Sequence, residues 1–327
     1  MSEASVHSLL ESGAEPRVLA LADMVSLAFR LVRVNIRLYS RVLFLPALFS
    51  AVASNLAQYS MMEWLKVAAE SKLAVAPFAI AMAVILACIV LWFYAAWELC
   101  MRCSAMSRFL LQLNASYQEA YEAIKKRRWL IFGVYNLAVL PPLLVLIAWT
   151  VVIVSALTVV SRLGAERLLV GGLVFFVIGL LLTVSLAITS LYGALLTAGA
   201  VVEDCSFKTL AAKSLHFAKA RLLRGASFIC LLTVAIMVAN FAISSPLTIL
   251  EAIETAFVIK QSGLSSFSET AEPTHLRVIS AMFDVMLNMV TFSVAYTGYV
   301  LFFRDLKLRL EATDLVGRLE KLVKVDK

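Results

Sequence analysis

Long apolar runs alternate with short basic stretches along this chain, and the alternation repeats three times. Residues 20–41 open the first round. Arg30, Arg33, Arg37 and Arg41 recur at helical spacing on one face, with Val25, Phe29, Val32, Ile36 and Tyr39 on the other. The pattern predicts an amphipathic helix lying in a membrane interface, or a polar-faced extension of the apolar run that follows. Apolar runs cover about 42–60, 76–99, 129–160, 168–202, 225–249 and 278–303. A membrane-crossing helix needs roughly 20 such residues, and these runs are continuous, unlike the alternating segments of a barrel. The reading is an all-α, polytopic membrane protein with six transmembrane helices and interfacial amphipathic helices before spans one, three and five.

The segments between the runs are polar. A hairpin carries Glu63, Lys66, Glu70 and Lys72. Residues 114–128 end in Lys125, Lys126, Arg127 and Arg128, and residues 203–224 carry Lys208, Lys213, His216, Lys219, Arg221 and Arg224. Three times a basic stretch precedes a pair of apolar runs, with Ser26, Ser116 and Ser206 each opening one. The three units share one orientation, which is not the inverted-repeat pattern of many transporters. The domain organisation expected is a polar tail over 1–19, a six-span membrane domain over 20–303, and a charged cytoplasmic C-terminal helix over 304–327.

Prolines interrupt several runs. Pro46 falls near the start of the first. Pro141-Pro142 predicts one kinked span, or a short helix leading into a span, and Ser244-Ser245-Pro246 predicts a break with a separate short helix over 246–260. The fourth run carries Gly171, Gly172, Gly179, Gly193 and Gly199. Without a GxxxG pattern, these indicate general close packing.

Composition agrees with the runs. Of 327 residues, 62% are hydrophobic and 16% charged, and the mean hydropathy is +0.90. Soluble domains are about half apolar and a quarter charged, so a water-soluble enzyme and a disordered chain are both excluded. The net charge of +7 follows the positive-inside rule and needs no nucleic acid. Twenty-three lysines and arginines fall in the N-terminal segment, the loops after spans two and four, and the tail, against six in the other three loops. That places both termini on the cytoplasmic side of the membrane. The first 16 residues, with Glu3, Glu11 and Glu15, do not read as a cleaved signal. Five cysteines leave at least one unpaired, and the Cys100–Cys103 pair lacks the second ligand pair of a metal site.

Candidate chemistry is sparse. His7, His216 and His275 are scattered across both predicted membrane faces, which disfavours a shared metal site. No HExxH, GxSxG or phosphate-binding glycine loop occurs, so no cofactor is expected. Ionisable residues within a membrane point to function by default. Asp284 is the clearest candidate for a solute path, with local pairing near an interface as the plainer reading. Glu98, Glu251 and Glu254 are weaker candidates. The basic residues Arg30, Arg33, Arg37, Arg41, Lys125, Lys126, Arg127 and Arg128 are candidates for binding anionic lipid headgroups, each worth about 1 kcal/mol near the surface.

Three stretches resemble bacterial proteins related to the glycerophosphoryl diester phosphodiesterase membrane domain. They are Leu21 to Arg37; Val201-Val-Glu-Asp with Ala212-Lys-Ser and Lys219; and Leu301-Phe-Phe-Arg-Asp-Leu-Lys-Leu-Arg-Leu-Glu with Asp314-Leu. The ending departs from that pattern at Phe302-Phe303-Arg304, where tyrosines are usual. Some members of that family carry a fused soluble phosphodiesterase barrel. Only 24 residues follow the last span here, so the resemblance does not imply that activity. The functional expectation is a non-enzymatic membrane organiser that binds anionic lipid or a partner membrane protein through its basic helices. A transporter or channel for a small or lipid-like solute is the alternative, with Asp284 and the Pro141-Pro142 helix lining its path.

Overall fold

The computed structural model describes residues 19–70, 75–111, 116–160, 167–262 and 274–325. Among them nine helices follow one another, with no strand: α1 Leu21–Val34, α2 Ile36–Glu70, α3 Val75–Leu110, α4 Tyr117–Lys126, α5 Arg128–Val160, α6 Arg167–Val202, α7 Phe207–Ala220, α8 Leu222–Ser262 and α9 Thr274–Val325. The order is short, long, long, three times over. Six helices are long and apolar enough to cross a membrane, over Ile36–Met62, Ala79–Leu110, Arg128–Val160, Gly171–Val202, Leu222–Leu250 and Val278–Leu310. The chain is an all-α, multi-pass membrane protein.

A single residue separates each short helix from the span after it: Asn35, Arg127 and Arg221. The predicted helix over 20–41 is therefore two helices. The Asn35 carbonyl accepts the backbone N–H groups of Leu38 and Tyr39 at 2.9 and 3.0 Å and so starts α2. Arg30 and Arg33 belong to α1, Arg37 and Arg41 to α2. The serines are not equivalent either. Ser116 and Ser206 cap α4 and α7, accepting the N–H groups of Glu119 and Thr209. Ser26 lies inside α1, exposed.

The proline-bearing spans are continuous, which corrects the break expected at Ser244-Ser245-Pro246. A proline leaves the carbonyl four residues earlier without its helical donor. Pro246 deprives Ala242, and the Ser245 hydroxyl donates to that carbonyl at 3.0 Å. Pro46 deprives Val42, and the Arg102 guanidinium fills the place at 2.7 Å. Pro142 deprives Ala138, whose carbonyl faces Gly193 of α6. A Cβ on Gly193 would fall 2.9 Å from both the Ala138 oxygen and its Cα. Side chains and close helix approaches of this kind let membrane helices carry proline. The charged helix expected over 304–327 is, as far as Val325, the continuation of α9. No glycine or proline interrupts residues 299–316, and Arg309 pairs with Asp305 one turn back at 2.8 Å.

The chain forms two compact units. One comprises Met1–Leu31, Ser104–Val234 and Tyr296–Lys327; the other comprises Val32–Cys103 and Ala235–Ala295. In the first, burial concentrates at the ends of α6 and α9 next to the short helices. Leu191, Leu195, Leu196, Phe302 and Phe303 are fully buried there. Phe228 stacks on Phe302 with ring centroids 4.4 Å apart, and Phe217 lies 5.4 Å from Phe303. The glycines of this end allow the approach: Gly199 sits against Leu210 and Phe303, Gly225 against Leu191. Gly172 and Gly179, toward the other end of α6, have nothing close. The middle of α5 is entirely unburied, with Leu144, Ile147, Val151 and Val154 exposed. Such surface needs lipid or another apolar partner against it. In the second unit, Tyr39, Leu43, Ala47 and Ser50 form the buried face of α2, and Ala95, Leu99 and Cys103 that of α3.

Candidate functional site: arginine clasps and an exposed basic set

The carbonyls at the end of a helix have no donor within it, and α6 ends at a point where two arginines supply donors. Arg127, the residue between α4 and α5, donates to the carbonyls of Ala200, Glu203 and Cys205 at 3.3, 2.8 and 2.9 Å, and to Asp204 Oδ1 at 2.9 Å. Arg108 at the end of α3 donates to the Val201 carbonyl and to the same Asp204 oxygen, both at 3.1 Å. A planar guanidinium with five donors suits this multiple capping, and its charge opposes the negative end of the α6 dipole. Beside it, Glu203 pairs with Lys213 of α7 and with Lys307 of α9, the latter at 3.1 Å.

A second clasp closes on Asp305 of α9, which is 2% exposed. Its Oδ1 accepts the Leu19 backbone N–H at 3.0 Å; its Oδ2 accepts Arg224 at 3.0 Å and Arg309 at 2.8 Å. Both guanidiniums also donate to the Leu19 carbonyl, at 2.7 and 3.1 Å. A carboxylate this deeply buried is sustained only by such full pairing.

The second and third repeats thus share one device. An arginine near the short-to-long helix junction, Arg127 or Arg224, clasps a carboxylate at the end of the second span of its own repeat, Asp204 or Asp305. The first repeat differs. Glu98 of α3 pairs with Arg102 on its own helix at 2.7 Å, and Arg102 reaches the Val42 carbonyl of α2.

These contacts shift two acids outside the spans. For Glu203, burial raises the carboxyl, but the bonds and charges of Lys213 and Lys307 outweigh it and hold the group below the usual carboxylate range. For Asp204, the Arg108 bond leads, with the Arg127 and Arg108 charges, and the carboxyl is again held down against burial. Each pKa is lower folded than unfolded. The stability they confer is therefore complete above the unfolded value of about 4 and is lost as pH falls through the folded value. The melting temperature should stay level from pH 7 to about 5 and fall below about 4. The double variant Glu203→Gln, Asp204→Asn should start lower and fall less steeply; an unchanged slope in thermal melts at stepped pH would exclude this role.

The sequence grouped Arg127 with Lys125, Lys126 and Arg128, but the four have different settings. Lys125, Lys126 and Arg128 are exposed, whereas the Arg127 donors are directed into the α6 terminus. Arg128 lies over the Trp129 ring, 5.6 Å from its centroid, and Trp129 is 70% exposed. Arg30, Arg33, Arg37 and Arg41 are all exposed and make no ion pair among the described residues. Asp284 is half-buried in α9 and accepts a bond from Asn55 of α2 at 3.1 Å. Asn240 and Thr291 form another polar pair between spans five and six at 3.0 Å.

Among the described residues, no three or more His, Cys, Asp or Glu side chains form a group able to hold a metal. His216 is exposed on α7; His7 and the His275 side chain lie outside the described residues, as do the side chains of Glu251 and Glu254. None of the five cysteines is in a disulfide. The roles of Asp305, Arg224, Arg309, Arg108 and Arg102 were missed in the sequence. The available signal was the acid that closes each second span: Glu98, Glu203-Asp204 and Asp305. No family model, curated protein or solved structure matches the chain.

Proposed function

We propose that the protein is a non-enzymatic organiser of a bacterial inner membrane, holding anionic lipid, or a partner membrane protein bearing acidic groups, against its basic cytoplasmic face. The observation that carries this reading is the division of the cations. Arg102, Arg108, Arg127, Arg224 and Arg309 are bound internally, while Arg30, Arg33, Arg37, Arg41, Lys125, Lys126 and Arg128 stay exposed beside exposed apolar residues. Trp129 under Arg128, with Leu223 84% exposed at the start of α8, gives the mixed apolar and cationic surface that suits a headgroup boundary. The resemblance to the phosphodiesterase membrane-domain family fits this reading. Its second and third stretches contain Glu203, Asp204, Asp305 and Lys307, the residues of the clasps.

The test is the lipid shell carried out of a membrane of equal phosphatidylglycerol and phosphatidylcholine. Enrichment of phosphatidylglycerol is expected in the wild type, and its loss when Arg30, Arg33, Arg37, Arg41, Lys125, Lys126 and Arg128 all become glutamine. Equal retention of both lipids would reject the reading. Asp284 and its bond to Asn55, inside the apolar spans, favour a second reading as a solute transporter. Loss of solute flux in proteoliposomes on Asp284→Asn, with the fold intact, would favour it instead.

A further inference from the structure

The exposed face of α2 is continuous from its basic end into the apolar region. Phe44, Leu45, Val52 and Leu56 are exposed, and helical spacing puts them on one side of α2, opposite the buried Tyr39, Leu43, Ala47 and Ser50. Arg37 and Arg41 lie on that same exposed side, at the first turns of the helix. They are one turn apart, so both guanidiniums can reach one phosphate. In the other two repeats an arginine at or just past the junction is bound, Arg127 to Asp204 and Arg224 to Asp305, while Arg221 is exposed. In the first repeat Arg102, from the facing span, caps the Val42 carbonyl that Pro46 leaves without a donor. The capping duty is met from the other side, and the two arginines of α2 remain outward.

We infer that the outer face of α2 is a discrete binding site for one anionic glycerophospholipid, with its phosphate held between Arg37 and Arg41 and an acyl chain lying along Phe44, Leu45, Val52 and Leu56. Two forked guanidiniums bind a phosphate oxygen set bidentately. The apolar stripe supplies what a free phosphate could not use. A zwitterionic lipid offers the same phosphate but carries a cation that the arginines repel. The site rests on the lipid-binding reading above and gives it a location.

Native mass spectrometry of the full chain, released from nanodiscs of equal phosphatidylglycerol and phosphatidylcholine, tests it. The wild type should retain one phosphatidylglycerol. Arg37→Gln with Arg41→Gln should weaken that retention about thirtyfold, two cations at about fivefold each with little margin. Arg37→Lys with Arg41→Lys should recover part of it. Lys208→Gln with Lys219→Gln, at two exposed cations of α7, should keep the bound lipid. If the α2 pair retains the lipid as the wild type does while the seven-cation variant loses it, the site is overturned but lipid binding stands. If the wild type shows no preference for phosphatidylglycerol, both fall. Equal thermal protection by inorganic phosphate in lipid-free detergent would overturn the assignment to a lipid. Unchanged helix content by circular dichroism shows that each variant is folded.

Discussion

Replacing Asp305 with alanine should cost the fold about 3–5 kcal/mol, the range for removing one partner of a buried ion pair. The change leaves Arg224 and Arg309 facing each other beside the Leu19 carbonyl with no carboxylate between them. It also leaves the Leu19 N–H, at the start of α1, without its acceptor. Asp305→Asn should recover little, because an amide presents an NH2 group to donors on both sides. Unfolding in a graded series of denaturing detergent, followed by circular dichroism, measures the loss. A midpoint within about 0.5 kcal/mol of the wild type, the scatter of ordinary surface substitutions, would show that the clasp does not hold the fold.

Arg127→Ala is the second large effect, at about 3 kcal/mol or more. Each buried acceptor left without a donor costs roughly 1–3 kcal/mol; the side chain serves three carbonyls in part-buried bonds, while the Asp204 carboxylate, 68% exposed, can be rehydrated. Not all of these lose everything, since Arg108 still reaches Asp204 and the Val201 carbonyl. Arg127→Lys should be nearly as damaging, because an ammonium has three donors on a flexible stem and cannot reproduce the fork. Lys125→Ala and Lys126→Ala, two neighbours of the same charge, should change the midpoint by less than about 0.5 kcal/mol. The contrast separates a capping arginine from surface cations within four residues of sequence. Equal effects at the three positions would remove that distinction.

The family resemblance read in the sequence meets no matching family model, so it stays within the proposal above. Several structural features were readable from local pattern. Six apolar runs, each bounded by charge, could only be membrane helices, because hydrocarbon accepts no other continuous backbone of that length. The threefold order of short helix and two spans followed from the recurrence of basic stretches. The helix break at Asn35 was not readable, since asparagine is tolerated in a helix and nothing in the apolar spacing changes there. Nor was the continuity of α8 through Pro246. Proline predicts a break unless a donor repairs the carbonyl behind it, and Ser245 does so through its own rotamer.

The basic residues show the same division at the level of function. Positive charge near a membrane is visible in a sequence, and it set the expected orientation of every span. Which charges remain outward is not visible, because Lys125, Lys126, Arg127 and Arg128 are consecutive residues of the same charge. The difference arises from contacts about 75 residues away, where Glu203, Asp204 and Cys205 arrive beside Arg127. Pro46 could be seen to orphan a carbonyl, but not that Arg102 of another helix would cap it. Composition and periodicity determined the helices, their number and the charge at their ends. Only tertiary packing decided which arginines are structural caps and which stay exposed, because long-range partners compete for each guanidinium and a linear pattern carries no record of them.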